Sequence, residues 1–518
     1  MRGHHGFHRK ILSAVAVSGL VLGLGACSNS SSGGTNTGGK SGGGTSKNIV
    51  IALQDEPSTL DPQTAEDAQQ FDVTVNINET LLDRKNDAET TIYPLLASDM
   101  PKQVNPTTWE IKVRSGISFT NGEPFNAAAA AYSINRIINP KLNSAQLSIF
   151  TGIKNAEAVD DTTVRVTTDG FDPVFDSQMA RLTMVPPKAS TQKGFASNPV
   201  GTGPYMFVRW DRGQDVVIKA NPNYWGDTKP TIPQATFRFI GQSNSATAAL
   251  KTGEVQLATN VPPELTSTVP QVISRDGLEF PIVRLKNYEG PLKDPRIRQA
   301  MNYAIDKDAL AKNLFSGYAT VAQCQTLDQA DAGFDSGLQA YPYDPAKAKQ
   351  LLQQAGYHGE TISFLGVTGR WLKDSEMEQA ILGYLKAVGM NVKPKIFPFN
   401  SYIPQFVKGQ GSGQPDAAFV SASNELSDAS QISSYYAKDG SLSSYVNDKV
   451  TNDLKQAQTE QDTTKRNQLF SEVLTTGCQD DPVDIFTVNL KDIYGASKDL
   501  KFSPYLDGGL RIASMSFD

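Results

Sequence analysis

The sequence predicts an α/β protein of two lobes in which helices cover mixed β-sheets. Its 518 residues exceed what a single hydrophobic core usually organises. Strand-like alternation dominates up to residue 240, whereas helical spacing of apolar residues dominates from residue 294. A strand-like segment returns at residues 483–488, so we expect the chain to cross between the lobes more than once.

The N-terminus has the features of an export signal. Positive residues precede an apolar run from Ile11 to Leu24, which is too short to span a bilayer comfortably. The run leads into Leu24-Gly25-Ala26-Cys27, which resembles the lipobox of bacterial lipoproteins and implies cleavage before Cys27 and acylation of its thiol. We therefore predict a signal peptide over 1–26 and an extracytoplasmic protein anchored to the outer face of the cell membrane. An ordinary secretory signal is the alternative.

Residues 27–47 are rich in serine and glycine, as a flexible tether would be. Removing the signal moves the formal net charge from −6 to −9, and no basic patch indicates a nucleic-acid partner.

Of the four histidines only His358 remains, which excludes a multi-histidine metal site within one chain. Cys324 and Cys478 form an even pair for an oxidising compartment, and we expect them to be joined by a disulfide.

The first half of the chain contains five clear strand patterns with turn residues on either side. They are residues 48–53, 108–114, 163–167, 215–219 and 235–240. In the second half the helix signals dominate. Asp294-Pro295 and Asp344-Pro345 each read as an N-cap followed by an N1 proline, and Ser375 to Glu378 reads as a capping box. The apolar stripes that follow these caps predict helices that pack against a core.

Several motifs occur in order along the chain and together resemble one family. They are Asp55-Glu-Pro-Ser-Thr-Leu-Asp-Pro62, Val113-Arg-Ser-Gly-Ile-Ser-Phe119, Pro199-Val-Gly-Thr-Gly-Pro-Tyr205, Asn221-Pro-Asn-Tyr-Trp225 and Asp294-Pro-Arg-Ile-Arg-Gln-Ala300. The family is the peptide/nickel class (family 5) of extracellular solute-binding proteins, the binding components of ABC importers. The resemblance covers residues 48–500. At Ala129-Ala130 the chain departs from the Asp-Val that the family usually has.

The resemblance implies the two-lobed fold of periplasmic binding proteins (type II, peptide-binding class), with a hinge between the lobes. It places lobe I at 48–284 with a return at 486–518, and lobe II at 285–485. The hinge crossings are expected near residues 282–287 and 482–488. The protein is then not an enzyme, and has no catalytic residue, no metal ligand and no cofactor. Its partners are a small solute, most often a short peptide, and the permease subunits of an importer, and we expect it to be a monomer.

The same resemblance suggests ligand contacts in lobe II. In peptide-binding members an arginine often holds the ligand carboxylate, and Arg370 sits in a similar place beside Trp371. Glu425 falls roughly where the family has an acid for the ligand ammonium, with Ser423 and Asn424 beside it. Ala422 stands where peptide binders carry a tryptophan, which puts the peptide pocket in doubt. The alternative for Arg370 is an ordinary surface arginine.

Other ligand classes remain open. Trp371, Tyr402 and Trp225 are aromatic residues on which sugar rings could stack, so an oligosaccharide is the first alternative to a peptide. Nickel or haem capture is disfavoured because such sites usually use histidine ligands and only His358 remains. A secreted hydrolase with two carboxylates is a distant alternative, since no carboxylate pair has a spacing that singles it out.

Overall fold

The computed structural model describes residues 47–65, 67–86, 91–406 and 413–518. The predicted signal peptide, Cys27 and nearly all of the tether lie outside the described residues and stay predictions. Within the described part of the chain, no helix combines the length and the apolar character needed to cross a bilayer.

The strands are numbered along the chain. They are β1 Ile49–Leu53, β2 Leu82–Arg84, β3 Ile92–Pro94, β4 Lys102–Asn105, β5 Thr108–Lys112, β6 Ile153–Ala158, β7 Thr163–Thr168, β8 Tyr205–Asp211, β9 Asp215–Ala220, β10 Gln234–Phe239, β11 Leu257–Ala258, β12 Gln271–Asp276, β13 Phe280–Leu285, β14 Ala319–Val321, β15 Thr361–Thr368, β16 Asn391–Pro398, β17 Ala417–Ala422, β18 Asp484–Phe486, β19 Val488–Ala496, β20 Leu500–Lys501 and β21 Ser516–Phe517.

The α-helices are numbered in the same way. They are α1 Ala68–Thr74, α2 Ala127–Ile137, α3 Phe175–Arg181, α4 Ser243–Thr252, α5 Pro295–Tyr303, α6 Lys307–Ala309, α7 Pro345–Gln354, α8 Asp374–Ala387, α9 Phe399–Phe406, α10 Ser433–Tyr436, α11 Asp448–Ala457 and α12 Thr463–Thr475. The five strands expected in the first half of the chain are confirmed, each within about two residues of its predicted ends.

The first lobe is built on an eight-stranded sheet and a four-stranded sheet. The larger sheet has the order β12-β19-β11-β1-β10-β9-β8, with β14 paired to β19, and the smaller one has the order β4-β5-β7-β6. Strand β1 lies in the middle of the large sheet and pairs in parallel with both β10 and β11. Because a central strand is covered on both faces, the sequence of β1 is a continuous run of apolar residues.

The second lobe is built on a five-stranded sheet with the order β16-β15-β17-β13-β18. Strand β13 is buried along its whole length. It carries Arg284 into the core, where the guanidinium lies 3.5 Å from the carboxylate of Asp484 on the neighbouring strand β18. An arginine is tolerated there because an opposite charge lies beside it.

Two neighbouring segments carry the chain from one large sheet to the other, and β14, between β13 and β15 in sequence, also pairs with β19 of the first sheet. The chain leaves the first sheet after β12 at Asp276 and enters the second at Phe280, and it returns between β18 and β19 at Thr487. The Thr487 hydroxyl donates a hydrogen bond to the carbonyl of Pro281, so the two crossing segments are in contact. The residue limits predicted for the lobes, 284/285 and 485/486, stay a prediction.

Two of the three predicted helix starts have the expected caps. Asp294 accepts from the backbone N–H of Arg296 at the start of α5, and Asp344 accepts from that of Lys347 at the start of α7. The capping box at Ser375 is wrong. Helix α8 already begins at Asp374, and the Glu378 carboxylate accepts the backbone N–H of Val367 on β15 at 2.7 Å instead of bonding back to its own helix.

Cys324 and Cys478 are joined by a disulfide in the structure, as the sequence predicts. Their Cα atoms are 5.6 Å apart although 154 positions separate them in sequence. Both residues are buried in the apolar cluster of the second lobe. The bond therefore ties the segment after β14 to the turn that follows α12 within one lobe.

Candidate functional site

A cavity of about 1060 Å³ lies between the two lobes, and we call it the central cavity. Most of its wall comes from the first lobe, including the segment after α1, the end of α3 and the C-terminal stretch 505–514. Leu278 of the first crossing segment and Glu425 and Ser427 of the second lobe complete it. Small-molecule sites usually enclose about 300–1,000 Å³. The central cavity therefore has room for a ligand the size of a short peptide.

Glu79 forms a buried acidic corner of this cavity. Its carboxylate accepts hydrogen bonds from the hydroxyls of Thr202 and Tyr224, each at 2.7 Å, and from the indole N–H of Trp225 at 2.8 Å. Burial raises the pKa of Glu79 from 4.5 to about 7, against the opposing effect of these three donors. The carboxylate thereby fixes the orientation of Trp225, whose ring lies against the cavity.

A second cluster of cavity residues forms ion pairs within the protein. The guanidinium of Arg511 donates to both carboxylate oxygens of Asp507, at 2.8 and 2.7 Å, and to Asp83 at 3.2 Å. Burial disfavours the charge of Asp507, but Arg511 holds the pKa of that carboxyl below its ordinary value. These residues build the cavity wall, and their charges are already satisfied within the protein.

Glu425 enters the cavity from the second lobe, on the segment after β17. Its carboxylate accepts from the Ser423 hydroxyl at 2.7 Å and from the Gln431 side-chain amide at 3.0 Å. Burial opposes ionisation, yet the charge of Arg181 and these two donors hold the pKa of Glu425 below its ordinary value. Glu425 is therefore an ionised carboxylate at neutral pH.

The lobes contact each other directly beside Glu425. The side chain of Leu426, on the same second-lobe segment, is buried in an apolar cluster that otherwise consists of first-lobe residues between 81 and 184. Its carbonyl accepts a hydrogen bond of 2.8 Å from Arg84, whose guanidinium also donates to Ser177 at 2.7 Å. The segment Ser423–Asp428 is thus the element of the second lobe that seats in the first.

A second cavity, of about 820 Å³, lies on the other side of this segment and is called the side cavity. It is bounded by residues 148–178 of the first lobe and by residues between 423 and 459 of the second. Glu425 lines the central cavity as well and is therefore part of the wall of both cavities.

The predicted contacts Arg370 and Trp371 lie near the first crossing segment. One guanidinium nitrogen of Arg370 is 3.9 Å from Glu279, and its side chain is 44% exposed. Trp371 packs edge-on against Phe399 and Phe419 in the second lobe. Neither residue is among those that line the central or the side cavity, so their ligand roles stay a prediction that the observed geometry does not favour.

Of the remaining predicted contacts, only Ser423 and Glu425 are brought together at a cavity. Tyr402 is fully buried in the second-lobe core, and its hydroxyl donates to the carbonyl of Phe419 at 2.6 Å. Asn424 is also buried, and its amide donates to Asp331 at 2.8 Å. The ligand roles of these two stay a prediction that the geometry does not favour, since Tyr402 lies in the core and Asn424 braces the segment that carries Glu425.

The charged residues of the cavity that sequence reasoning missed include Glu79, Arg84 and Arg181. None lies in a motif whose spacing indicates chemistry, and each reaches the cavity only because distant segments fold together. Trp225 was found, as an aromatic residue in Asn221-Pro-Asn-Tyr-Trp225, and it does line the cavity.

Comparison with known families supports a binding protein. The family described as bacterial extracellular solute-binding proteins, family 5 (middle region), matches residues 91–444. The glutathione-binding protein GsiB of Pectobacterium atrosepticum is 33% identical over 320 residues, which are 60% of this chain and 62% of GsiB. The chain therefore spans less than two thirds of the length of this relative.

Solved structures share the whole fold. NikZ of Campylobacter jejuni in complex with Ni(L-His) has a TM-score of 0.78 at 22% identity, over 91% of this chain and 99% of NikZ. The periplasmic binding protein DppA of Helicobacter pylori in complex with the peptide STSA has a TM-score of 0.75 at 22% identity, over 90% of this chain and 98% of DppA. The fold is therefore that of the two-lobed periplasmic binding proteins, as the sequence predicts.

Proposed function

The chain belongs to the bacterial extracellular solute-binding proteins of family 5, and we propose that it is the lipid-anchored receptor of an ABC importer for a short, charged, peptide-like solute. The receptor captures the solute between its lobes and delivers it to the permease. The family is one of binding proteins rather than of enzymes.

One observation carries the proposal: the central cavity lies between the lobes and has side chains of both signs on its walls. Glu425 stands on the second lobe and Arg181 on the first, within a volume of about 1060 Å³. A peptide of about two to five residues carries an ammonium and a carboxylate and is small enough to fit within this volume. A neutral solute would leave both protein charges without an ion-pair partner, at a cost in free energy.

The relatives support a solute of this kind. GsiB is named for glutathione, a tripeptide, and the DppA structure holds a four-residue peptide. Both ligands combine a backbone amide with charged ends, which is the chemistry that the cavity walls match.

Capture by closure follows from the contacts between the lobes. A ligand drives closure only through interactions that it makes in the closed state and not in the open one. A solute that contacts both Glu425 and the first-lobe wall satisfies this condition, because the two come together only when Leu426 is seated in the first lobe.

The proposal is tested by identifying the solute. The full-length chain is purified under native conditions, and small molecules released by denaturation are identified by mass spectrometry. Calorimetry then measures binding of glutathione and of a panel of di- to pentapeptides, with linear oligosaccharides of two to five sugars as controls. Binding of a peptide and of no oligosaccharide is expected. Binding of oligosaccharides alone would overturn the peptide assignment.

The anchor is tested separately by Cys27→Ala. If the thiol of Cys27 carries the lipid, the variant accumulates as uncleaved precursor or leaves the membrane fraction, whereas the wild type stays with the membrane. A Cys27→Ala protein that is processed and still membrane-bound would refute the anchor while leaving the solute assignment untouched.

A further inference from the structure

Arg181 is a cationic side chain of the central cavity whose donors are not used by the protein. It is the last residue of α3, and its guanidinium lies 5.5 Å from the ring centroid of Phe71. Among the described residues, its side chain donates no hydrogen bond and forms no ion pair within 4.0 Å. An arginine held in a cavity with free donors matches a carboxylate, which it can bind through two parallel hydrogen bonds.

The other arginines of the cavity differ from Arg181 in this respect. Arg511 is committed to Asp507 and Asp83, and Arg84 donates to Ser177 and to the carbonyl of Leu426. Arg114, the remaining arginine of the wall, is exposed and donates through Nε to the carbonyl of Leu95. These hydrogen bonds stabilise the cavity wall and the contact between the lobes. Arg181 is therefore the guanidinium best placed to bind a ligand rather than the protein.

Glu425 faces the same cavity from the second lobe. Two donors, Ser423 and Gln431, fix its carboxylate, and it forms no ion pair with Arg181 within 4.0 Å. Among the nearby charges, that of Arg181 has the largest effect on the pKa of Glu425. Both side chains line the central cavity, and Arg84 joins their segments by donating to the carbonyl of Leu426, next to Glu425, and to Ser177, one helical turn before Arg181. Because the two form no direct ion pair, a ligand group can contact both.

We propose that Arg181 and Glu425 together bind an α-amino-acid head group, in which one carbon bears both a free carboxylate and a free ammonium. The carboxylate contacts Arg181 and the ammonium contacts Glu425. This rests on the proposed function and narrows its substrate class. Asp507, the other carboxylate near Arg181, does not compete for the head group because Arg511 already neutralises it.

The arrangement distinguishes two kinds of peptide. In an α-linked tripeptide the free ammonium and carboxylate lie at opposite ends of a chain that extends by about 3.3–3.6 Å per residue. In a γ-glutamyl peptide both groups stay on one carbon, because the peptide bond is made through the side chain. A pair of adjacent opposite charges on the protein therefore favours the γ-linked form, and the rest of the ligand extends into the remaining cavity volume.

Calorimetry on the full-length chain tests this with two isomers. The probes are S-methylglutathione, which is γ-linked, and its α-linked isomer; the methyl group prevents thiol exchange with the Cys324–Cys478 disulfide. The wild type is expected to bind the γ-linked probe at least about 30-fold more tightly, as expected when one of two buried charge partners is misplaced. N-Acetylation of the γ-linked probe should cause a comparable loss.

The variants are Arg181→Gln, Arg181→Lys and Glu425→Gln, with Arg212→Gln as the matched control on an exposed arginine outside both cavities. Arg181→Gln and Glu425→Gln should each weaken binding of the γ-linked probe by about 30-fold or more. Arg181→Lys should retain only part of the wild-type affinity for the γ-linked probe, since an ammonium cannot make two parallel hydrogen bonds to a carboxylate. Unchanged circular dichroism and melting temperature show that the variants are folded.

The outcomes separate this inference from the proposed function. If the wild type binds both isomers equally, or if Arg181→Gln binds the γ-linked probe as tightly as the wild type, the inference fails and the peptide receptor stands. If the wild type binds neither isomer nor any member of the peptide panel, the proposed function and the inference fail together.

Discussion

Replacing Leu426 by alanine should weaken ligand binding while leaving each lobe folded. Leu426 belongs to the second lobe but is only 5% exposed, because its side chain inserts into the apolar cluster of the first lobe. When the lobes separate, this side chain must become exposed to water. Its burial therefore stabilises the closed state relative to the open one, and not the fold of either lobe.

The magnitude follows from that burial. Fully burying a leucine side chain is worth about 1.5–3 kcal/mol, and alanine retains only a small part of this. A loss of about 2 kcal/mol in the closed state alone changes the closure equilibrium by about 30-fold at about 1.4 kcal/mol per factor of ten. Because ligand is held in the closed state, its dissociation constant should rise by up to about that factor, mainly through faster dissociation.

Calorimetry and stopped-flow dissociation with the co-purified solute or S-methylglutathione measure the effect. Leu338→Ala is the matched control, since Leu338 is equally buried but belongs to the apolar cluster of the second lobe alone. The control should lower the free energy of unfolding by about 2–5 kcal/mol and leave the dissociation constant unchanged. An unchanged dissociation constant in a folded Leu426→Ala protein would refute the role of this contact in closure.

Three further predictions concern stability and the predicted carboxylate site. Burial raises the pKa of Glu378 from 4.5 to about 8, so the folded protein keeps a proton that the unfolded chain releases, and stability falls as pH rises from 4.5 to 8. Between pH 5 and pH 8.5 the wild type should lose on the order of 4 kcal/mol of its free energy of unfolding in urea, and Glu378→Gln should not show this loss. Equal pH dependence in both proteins would contradict this. Replacing both Cys324 and Cys478 by alanine should cost about 2–5 kcal/mol of stability, and thiol titration of the unfolded, non-reduced wild type should detect neither cysteine. Because Arg370 is half exposed and lines neither cavity, Arg370→Ala should change affinity by less than about threefold; a loss as large as that of Arg181→Gln would return the carboxylate site to Arg370.

The features that could be predicted from sequence are those that neighbouring residues determine. Strand β1 is buried on both faces, and its unbroken apolar run is visible in the sequence. The N-caps at Asp294 and Asp344 act on backbone N–H groups two or three residues away, so a short window contains all the necessary information.

Sequence patterns are least informative where a distant contact replaces a local one. Ser375 and Glu378 have the spacing of a capping box, but the Glu378 carboxylate bonds to Val367 on a neighbouring strand. Tyr402 was considered because an aromatic ring can stack on a sugar, yet it stacks on Phe406 one helical turn later and is buried in the core. A single sequence does not distinguish a ring that faces a ligand from one that faces a strand.

The residues that we propose to bind the ligand could be predicted from sequence only in part, for the same reason. Glu425 was found through a family motif, whereas Arg181 is a single arginine at the end of a seven-residue helix. It becomes notable only when the structure shows which neighbouring charges are already paired. Asp507 and Arg511 are four residues apart and form an ion pair with each other, so we assign them to the structure of the cavity wall rather than to ligand binding.

This distinction between paired and unpaired charges also bears on the ligand class. Removing an ionised group from water without an opposite charge beside it is costly, and closure around a neutral sugar would enclose both Arg181 and Glu425 without an ion-pair partner. A ligand with a carboxylate and an ammonium supplies both partners at the moment of closure. Trp225 remains able to pack against an apolar part of such a ligand, because Glu79 fixes its indole N–H and leaves the ring facing the cavity. The charge arrangement, more than the aromatic content of the cavity, therefore favours an amphoteric solute over an oligosaccharide.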